Sequence, residues 1–157
     1  MQGNSAFMQQ AIELATQNVL SGRGGPFGAL IVRDNQVIAT GANCVTASND
    51  PTAHAEVTAI RNACTQLNTF SLTGCEIYTS CEPCPMCLAA IYWARLGAIY
   101  YGSTAAEAAA VGFDDAFLYR EVALPISQRT IPTTNLLPEQ AISSFNAWRQ
   151  HAGRIDY

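Results

Sequence analysis

The stretch Thr79-Ser80-Cys81-Glu82-Pro83-Cys84-Pro85-Met86-Cys87 organises the whole chain. Cys84 and Cys87 are three apart, so on a helix they project from one face. Two thiolates on one face supply half of a tetrahedral zinc site. The complement lies upstream at His54-Ala55-Glu56, where an imidazole stands beside a carboxylate. One His, two Cys and a Glu to spare describe an open metal site, with water in the fourth position.

Outward from that stretch, Cys75 to Ser80 reads as a strand, since Ile77 and Tyr78 favour one. Pro85 suits the first turn of the next helix, where no amide donor is needed, and that helix runs to about Arg95. Ala98 to Tyr101 is the following strand, and strand, helix and strand with short joins predict a parallel pair. Upstream, a helix from about Ala53 to Leu67 carries an apolar stripe of Val57, Ile60, Cys64 and Leu67. His54 and Glu56 are two apart and would diverge on a regular helix. They converge only at its N-terminal mouth, where free amide groups favour anions.

The remaining elements complete the pattern. Ser5 to Leu20 reads as an opening helix, with Phe7, Ala11, Leu14 and Ala15 on one face and Ser5 as its cap. The loop from Ser21 to Pro26 is dense in glycine and reads as a connector. Phe27 to Arg33 and Gln36 to Thr40 form a hairpin across Asp34-Asn35. Thr104 to Ala110 and Ala116 to Glu121 are helical. Ile131 to Thr134 reads as a last strand. Pro138 to His151 reads as a last helix with Ile142, Phe145 and Trp148 inward. The fold class expected is a three-layer α/β/α domain over residues 1–157, around a central mixed sheet of about five strands.

Composition narrows the function. The chain has 157 residues, 49% apolar and 13% charged, enough for one real core and too little charge for disorder. Eight basic residues against twelve acidic give a net charge of −4, which argues against binding nucleic-acid backbones. Met1-Gln2-Gly3-Asn4 lacks the charged region and apolar run of a signal peptide, and no stretch is apolar over the ~20 residues that a membrane span needs. The expected compartment is the reducing cytoplasm, where clustered cysteines hold metal more often than disulfides.

Each chemical reading has a plainer rival. Cys84 and Cys87 could be a redox pair, but a thioredoxin-like context is missing. Cys81, three before Cys84, could close the metal site as a fourth ligand. Against that, Pro83 interrupts a helix there, and a closed site leaves Glu56 without a task. Asn43 could be a turn residue that satisfies local backbone. Asp114 reads as a helix cap. Phe27 and Trp93 are core aromatics by default.

The pattern His54-x-Glu56 followed by Pro83-Cys84-x-x-Cys87 resembles the zinc nucleobase deaminases of the cytidine-deaminase-like superfamily. Within it, the chain is most similar to the small guanine deaminases of bacteria. The stretches that carry this likeness are Gly24 to Ala29, Ser48 to Glu56, Cys81 to Arg95, Gly112-Phe113-Asp114-Asp115 and Ala147-Trp148-Arg149. The resemblance implies one zinc ion per subunit on His54, Cys84 and Cys87, and hydrolysis of guanine to xanthine and ammonia. It implies that Glu56 shuttles protons and that Asp115 recognises the ring and assists transfer. Substrate contacts are implied for Phe27, Asn43, Ala55, Trp93 and the terminal Tyr157. A homodimer is implied, in which the C-terminal segment, about 130–157, crosses to cover the partner's site. Deamination of another base or nucleoside (guanosine, a triazine analogue, adenosine in tRNA) is the alternative within the superfamily. A structural zinc module without catalysis is the alternative outside it.

Overall fold

The computed structural model describes residues 2–157. The chain divides into two compact units, Met1–Phe117 and Leu118–Tyr157. The first contains helix α1 (Ser5–Leu20), strands β1 (Gly28–Arg33) and β2 (Gln36–Ala42), and the single-turn α2 (Val45–Ser48). Helix α3 (Ala55–Leu67), strand β3 (Glu76–Cys81), helix α4 (Pro85–Trp93), strand β4 (Ala98–Ser103) and helix α5 (Ala105–Ala110) follow. Helix α6 (Ala116–Ala123) spans the boundary in sequence, and α7 (Pro138–Gln150) belongs to the second unit.

The four strands are ordered β2-β1-β3-β4. β1 runs antiparallel to both neighbours, and β3 runs parallel to β4, so the sheet is mixed as expected. Asp34 and Asn35 both adopt positive φ, 50° and 59°, the geometry that a two-residue hairpin turn matched to strand twist requires. β1 is buried on both faces. Leu30 and Val32 pack with Phe7 and Ala11 of α1 and with Tyr78, while Ala29 and Ile31 pack with Ala55, Ala59 and Ala63 of α3 and with Ile77 and Ile91. Helices therefore cover both sides of the sheet, and the three-layer α/β/α architecture holds.

Four details differ from the sequence expectation. Asn4, not Ser5, caps α1: its side-chain oxygen accepts from the Ala6 amide at 2.9 Å. The face of α3 sealed against the sheet is Ala55, Ala59 and Ala63, while Ile60, Cys64 and Leu67 are only partly buried. The cause is Gly41 on β2, where a Cβ would stand 2.2 Å from the Ala55 carbonyl oxygen and 2.4 Å from the Ala59 nitrogen. Helix and strand backbones meet there, so only methyl side chains fit between them. No strand forms over residues 131–134, which leaves four strands among the described residues. Pro132 removes an amide donor from that short stretch. Finally, α7 forms, but Ile142, Phe145 and Trp148 are exposed, and no residue of the second unit is buried.

Candidate metal centre and active site

Two helix N-termini bring the metal-binding side chains together. His54 is the residue that precedes α3, extended at φ −69° and ψ 158°, and its carbonyl accepts from Thr58 to close the first turn. Cys84 holds the same position before α4, with Pro85 first in the helix and Cys87 in its first turn. Both helices start close to where the sequence placed them, with His54 and Cys84 each lying just outside its helix. The His54 Nδ1 atom stands 3.6 Å from Cys84 Sγ and 3.4 Å from Cys87 Sγ. Donor atoms ~3.5–3.8 Å apart are what bond lengths of about 2.0–2.3 Å impose on a tetrahedron. One imidazole and two thiols at that spacing fit zinc. Cys81 is not in this donor group, and its thiol faces the Thr104 carbonyl at 3.8 Å.

The donors open onto a cavity of about 680 Å³. His54, Glu56 and Cys84 form one wall. Glu56 is only 6% exposed and stands outside the three-donor group. Phe27 and Phe113 form an aromatic wall, their rings edge to face with centroids 4.9 Å apart. Asp115 lines the mouth, carried on a turn that Gly112 enters with φ 97°. Asp114 takes the capping task, accepting from the Ala116 amide at 2.9 Å.

A family model described as the cytidine and deoxycytidylate deaminase zinc-binding region matches residues 1–103. The chain belongs to this family. A guanine deaminase of Bacillus subtilis (strain 168) is 52% identical over 154 residues, covering 98% of this chain and 99% of that protein. The crystal structure of guanine deaminase from Bacillus subtilis superposes with a TM-score of 0.96 at 51% identity, covering 99% of both chains. A tRNA-specific adenosine deaminase of Agrobacterium fabrum is 45% identical, but over 55% of this chain and 57% of that protein.

The electrostatics of this zinc-binding deaminase follow from the crowding of its donors. A hydrogen bond from the Cys87 thiol, aided by His54, holds Cys84 down to about 4. The same thiolate pushes the Cys87 thiol up and raises His54 above its ordinary value. A divalent cation bound here keeps both thiols deprotonated and competes with a proton for His54. Burial raises the Glu56 carboxyl, with the Cys84 charge acting in the same direction. Burial likewise raises Asp115. A carboxyl pushed upward gives up and takes back protons nearer neutral pH, as a proton shuttle must. The Cys81 thiol is pushed up to about 11, chiefly by burial, and is an inert wall.

The remaining expected site residues fall in three groups. Asn43 lines the cavity and also serves its own turn, with Oδ1 accepting from the Gly25 and Val45 amides at 3.3 and 3.4 Å. The turn reading holds, and the place in the cavity lining puts Asn43 within reach of a bound molecule. Ala55 is fully buried and does not line the cavity, and its carbonyl is pressed against Gly41. Trp93 ends α4, nine residues beyond Cys84, is 65% exposed, and lines a separate shallow depression with Ala89, Tyr92 and Arg95. Tyr157 lies in the second unit, its ring edge-on to Trp148 with centroids 6.3 Å apart.

Among the cavity residues that escaped sequence reasoning are Phe113 and Glu82. Phe113 lay inside the Gly-Phe-Asp-Asp stretch, and its aromatic character beside Asp115 was the available signal. Glu82 sits within the central motif, and its carboxylate accepts from the Ala105 amide at 2.9 Å, tying the metal loop to the start of α5.

Proposed function

We propose that the protein hydrolyses guanine to xanthine and ammonia. The observation that carries this is a buried Glu56 carboxyl that faces a cavity beside three metal donors without being one of them. Full-length similarity to a guanine deaminase supports the choice of base. His54, Cys84 and Cys87 hold the zinc, which when bound supplies the Lewis acid that makes water a nucleophile near neutral pH.

The chain's own residues do the rest. Phe27 offers a flat apolar wall for the purine ring. Asp115 accepts hydrogen bonds from ring N–H groups, each contributing about 1.5–3 kcal/mol where the acceptor is charged. Asn43 fixes the other edge. Glu56 accepts a proton from the attacking water and delivers it to the ring nitrogen next to C2. A carbon–oxygen bond forms at C2. Glu56 then takes the remaining proton from the new C2 hydroxyl and passes it to the exocyclic nitrogen, the C2–N bond breaks as the C2 carbonyl forms, and ammonia departs. A substrate panel tests this reading. Guanine should release one equivalent of ammonia, while guanosine, adenine, cytosine and an anticodon stem-loop RNA release none. Turnover of guanosine or of the RNA without guanine would place the chain in another branch.

A homodimer completes the reading. The second unit buries no residue, and its helix α7 exposes Ile142, Phe145 and Trp148. Apolar side chains on that scale need a covering surface. A second copy provides one if residues of about 130–157 cross to it, which also lets Tyr157 act on a partner's cavity. Sedimentation equilibrium should give twice the 16.8 kDa chain mass. A monomer at micromolar concentration rejects the exchange. No helix of the described residues is long and apolar enough to cross a membrane. The cytoplasm is the compartment that suits two metal-binding thiols.

A further inference from the structure

Asn18 sits in α1, outside the cavity lining, and its side chain is 2% exposed. Asparagine is a poor helix former, so local propensity does not account for it. Its Nδ2 group donates to the Gly25 carbonyl at 2.9 Å and to the Asn43 carbonyl at 2.8 Å. Gly25 and Asn43 both line the cavity. Gly24 between them must lack a side chain, because a Cβ there would stand 2.1 Å from the Asn43 carbonyl oxygen and 3.0 Å from Asn18 Nδ2.

These bonds determine how Asn43 presents itself. Its amide nitrogen donates to the Phe27 carbonyl, and its carbonyl accepts from Asn18. Its side-chain oxygen faces two backbone N–H groups, those of Gly25 and Val45. Two donors on one side fix which atom is oxygen, since an NH₂ group there would meet only donors. The Asn43 Nδ2 group is therefore turned away from the backbone. No buried side-chain nitrogen or oxygen among the described residues lacks a partner, so this group is not sealed in protein. The side left to it is the cavity.

We propose that Asn18 is a positioning residue of the base-binding site. By holding the Gly25 and Asn43 carbonyls, it keeps the Asn43 side chain as a hydrogen-bond donor, so the site demands an acceptor on the substrate at that point. This rests on the reading that a purine base binds in the cavity.

The test is Asn18→Ser, which removes the forked donor, assayed beside the wild-type chain. Guanine offers three acceptors there, N3, N7 and O6. Competitive inhibition by 3-deazaguanine, 7-deazaguanine and 6-thioguanine, the first two lacking an acceptor and the third weakening one while keeping N1–H, identifies which one Asn43 meets. One analogue should bind the wild-type chain about tenfold or more weakly than the other two, the size of one lost hydrogen bond. In Asn18→Ser, KM for guanine should rise about tenfold with kcat within about threefold, and the analogue's handicap should shrink to about twofold. Unchanged KM and unchanged discrimination overturn the proposal, as does a fall in kcat alone. If Asn18→Ser melts too low to assay, Asn18→Asp keeps the shape with at most one donor and is read the same way. If the wild-type chain does not turn over guanine, the functional reading fails on its own. The Asn43 side-chain amide resonances then decide: they should shift in the variant, and identical resonances overturn the proposal.

Discussion

Glu56→Gln should fold, bind zinc in full and release ammonia from guanine about 10³-fold more slowly than the wild-type chain. The substitution keeps the shape of the side chain and removes its ability to carry a proton. A positioned acid–base group contributes about 10²–10⁴-fold to rate, and Glu56 is assigned two transfers in one turnover. Zinc should stay because the three donors are His54, Cys84 and Cys87, with Glu56 outside the group. The side chain is buried against the donors, so its neutral replacement also avoids leaving an unpaired charge. Steady-state ammonia release, zinc content and a thermal melt check the three parts separately. Activity within tenfold of wild type would remove Glu56 from the mechanism. Loss of zinc would make it a ligand.

The second large effect is expected at Cys87. Its side chain is fully buried, and its sulfur stands 3.4 Å from His54 Nδ1. Cys87→Ser replaces a soft thiolate by a hydroxyl that does not ionise near neutral pH, so two protein donors remain for zinc. The protein should purify with less than about a tenth of an equivalent of zinc and show no measurable deamination. Metal that binds only the native state stabilises it by about 2.7 kcal/mol at a hundredfold excess over Kd, so the melting temperature should fall as well. Cys81→Ser is the control. Cys81 lines the same cavity, but its thiol faces the Thr104 carbonyl, and the variant should keep its zinc. Equal zinc loss in both variants would mean a four-ligand site.

These expectations draw on features that differ in how local they are. The metal donors were readable because Cys84 and Cys87 lie within four residues, His54 stands two from a carboxylate, and a helix N-terminus is announced by Pro85 and by the polar run before Ala55. The parallel β3–β4 pair was readable for the same reason, from one helix between two short apolar runs. The buried face of α3 was not. A reading by hydrophobicity picks Val57, Ile60, Cys64 and Leu67, yet the choice of Ala55, Ala59 and Ala63 is made by Gly41 on another strand. Nothing within α3 records that contact. The strand expected at residues 131–134 failed because β-branched residues supply propensity but no partner. Site residues assigned by resemblance divide in the same way. Phe27, Asn43 and Asp115 reach the cavity within one chain, while Trp93 stands elsewhere and Ala55 lies beneath the surface. Asn18 was silent in sequence because its role depends on backbone carbonyls, which have no residue type.

The account depends on three protein donors around zinc with one position open to the cavity. X-ray absorption at the zinc edge measures this directly in the purified protein. Two sulfurs at about 2.3 Å and two lighter scatterers at about 2.0 Å are predicted. Three or four sulfurs, with Cys81 drawn in, would contradict it.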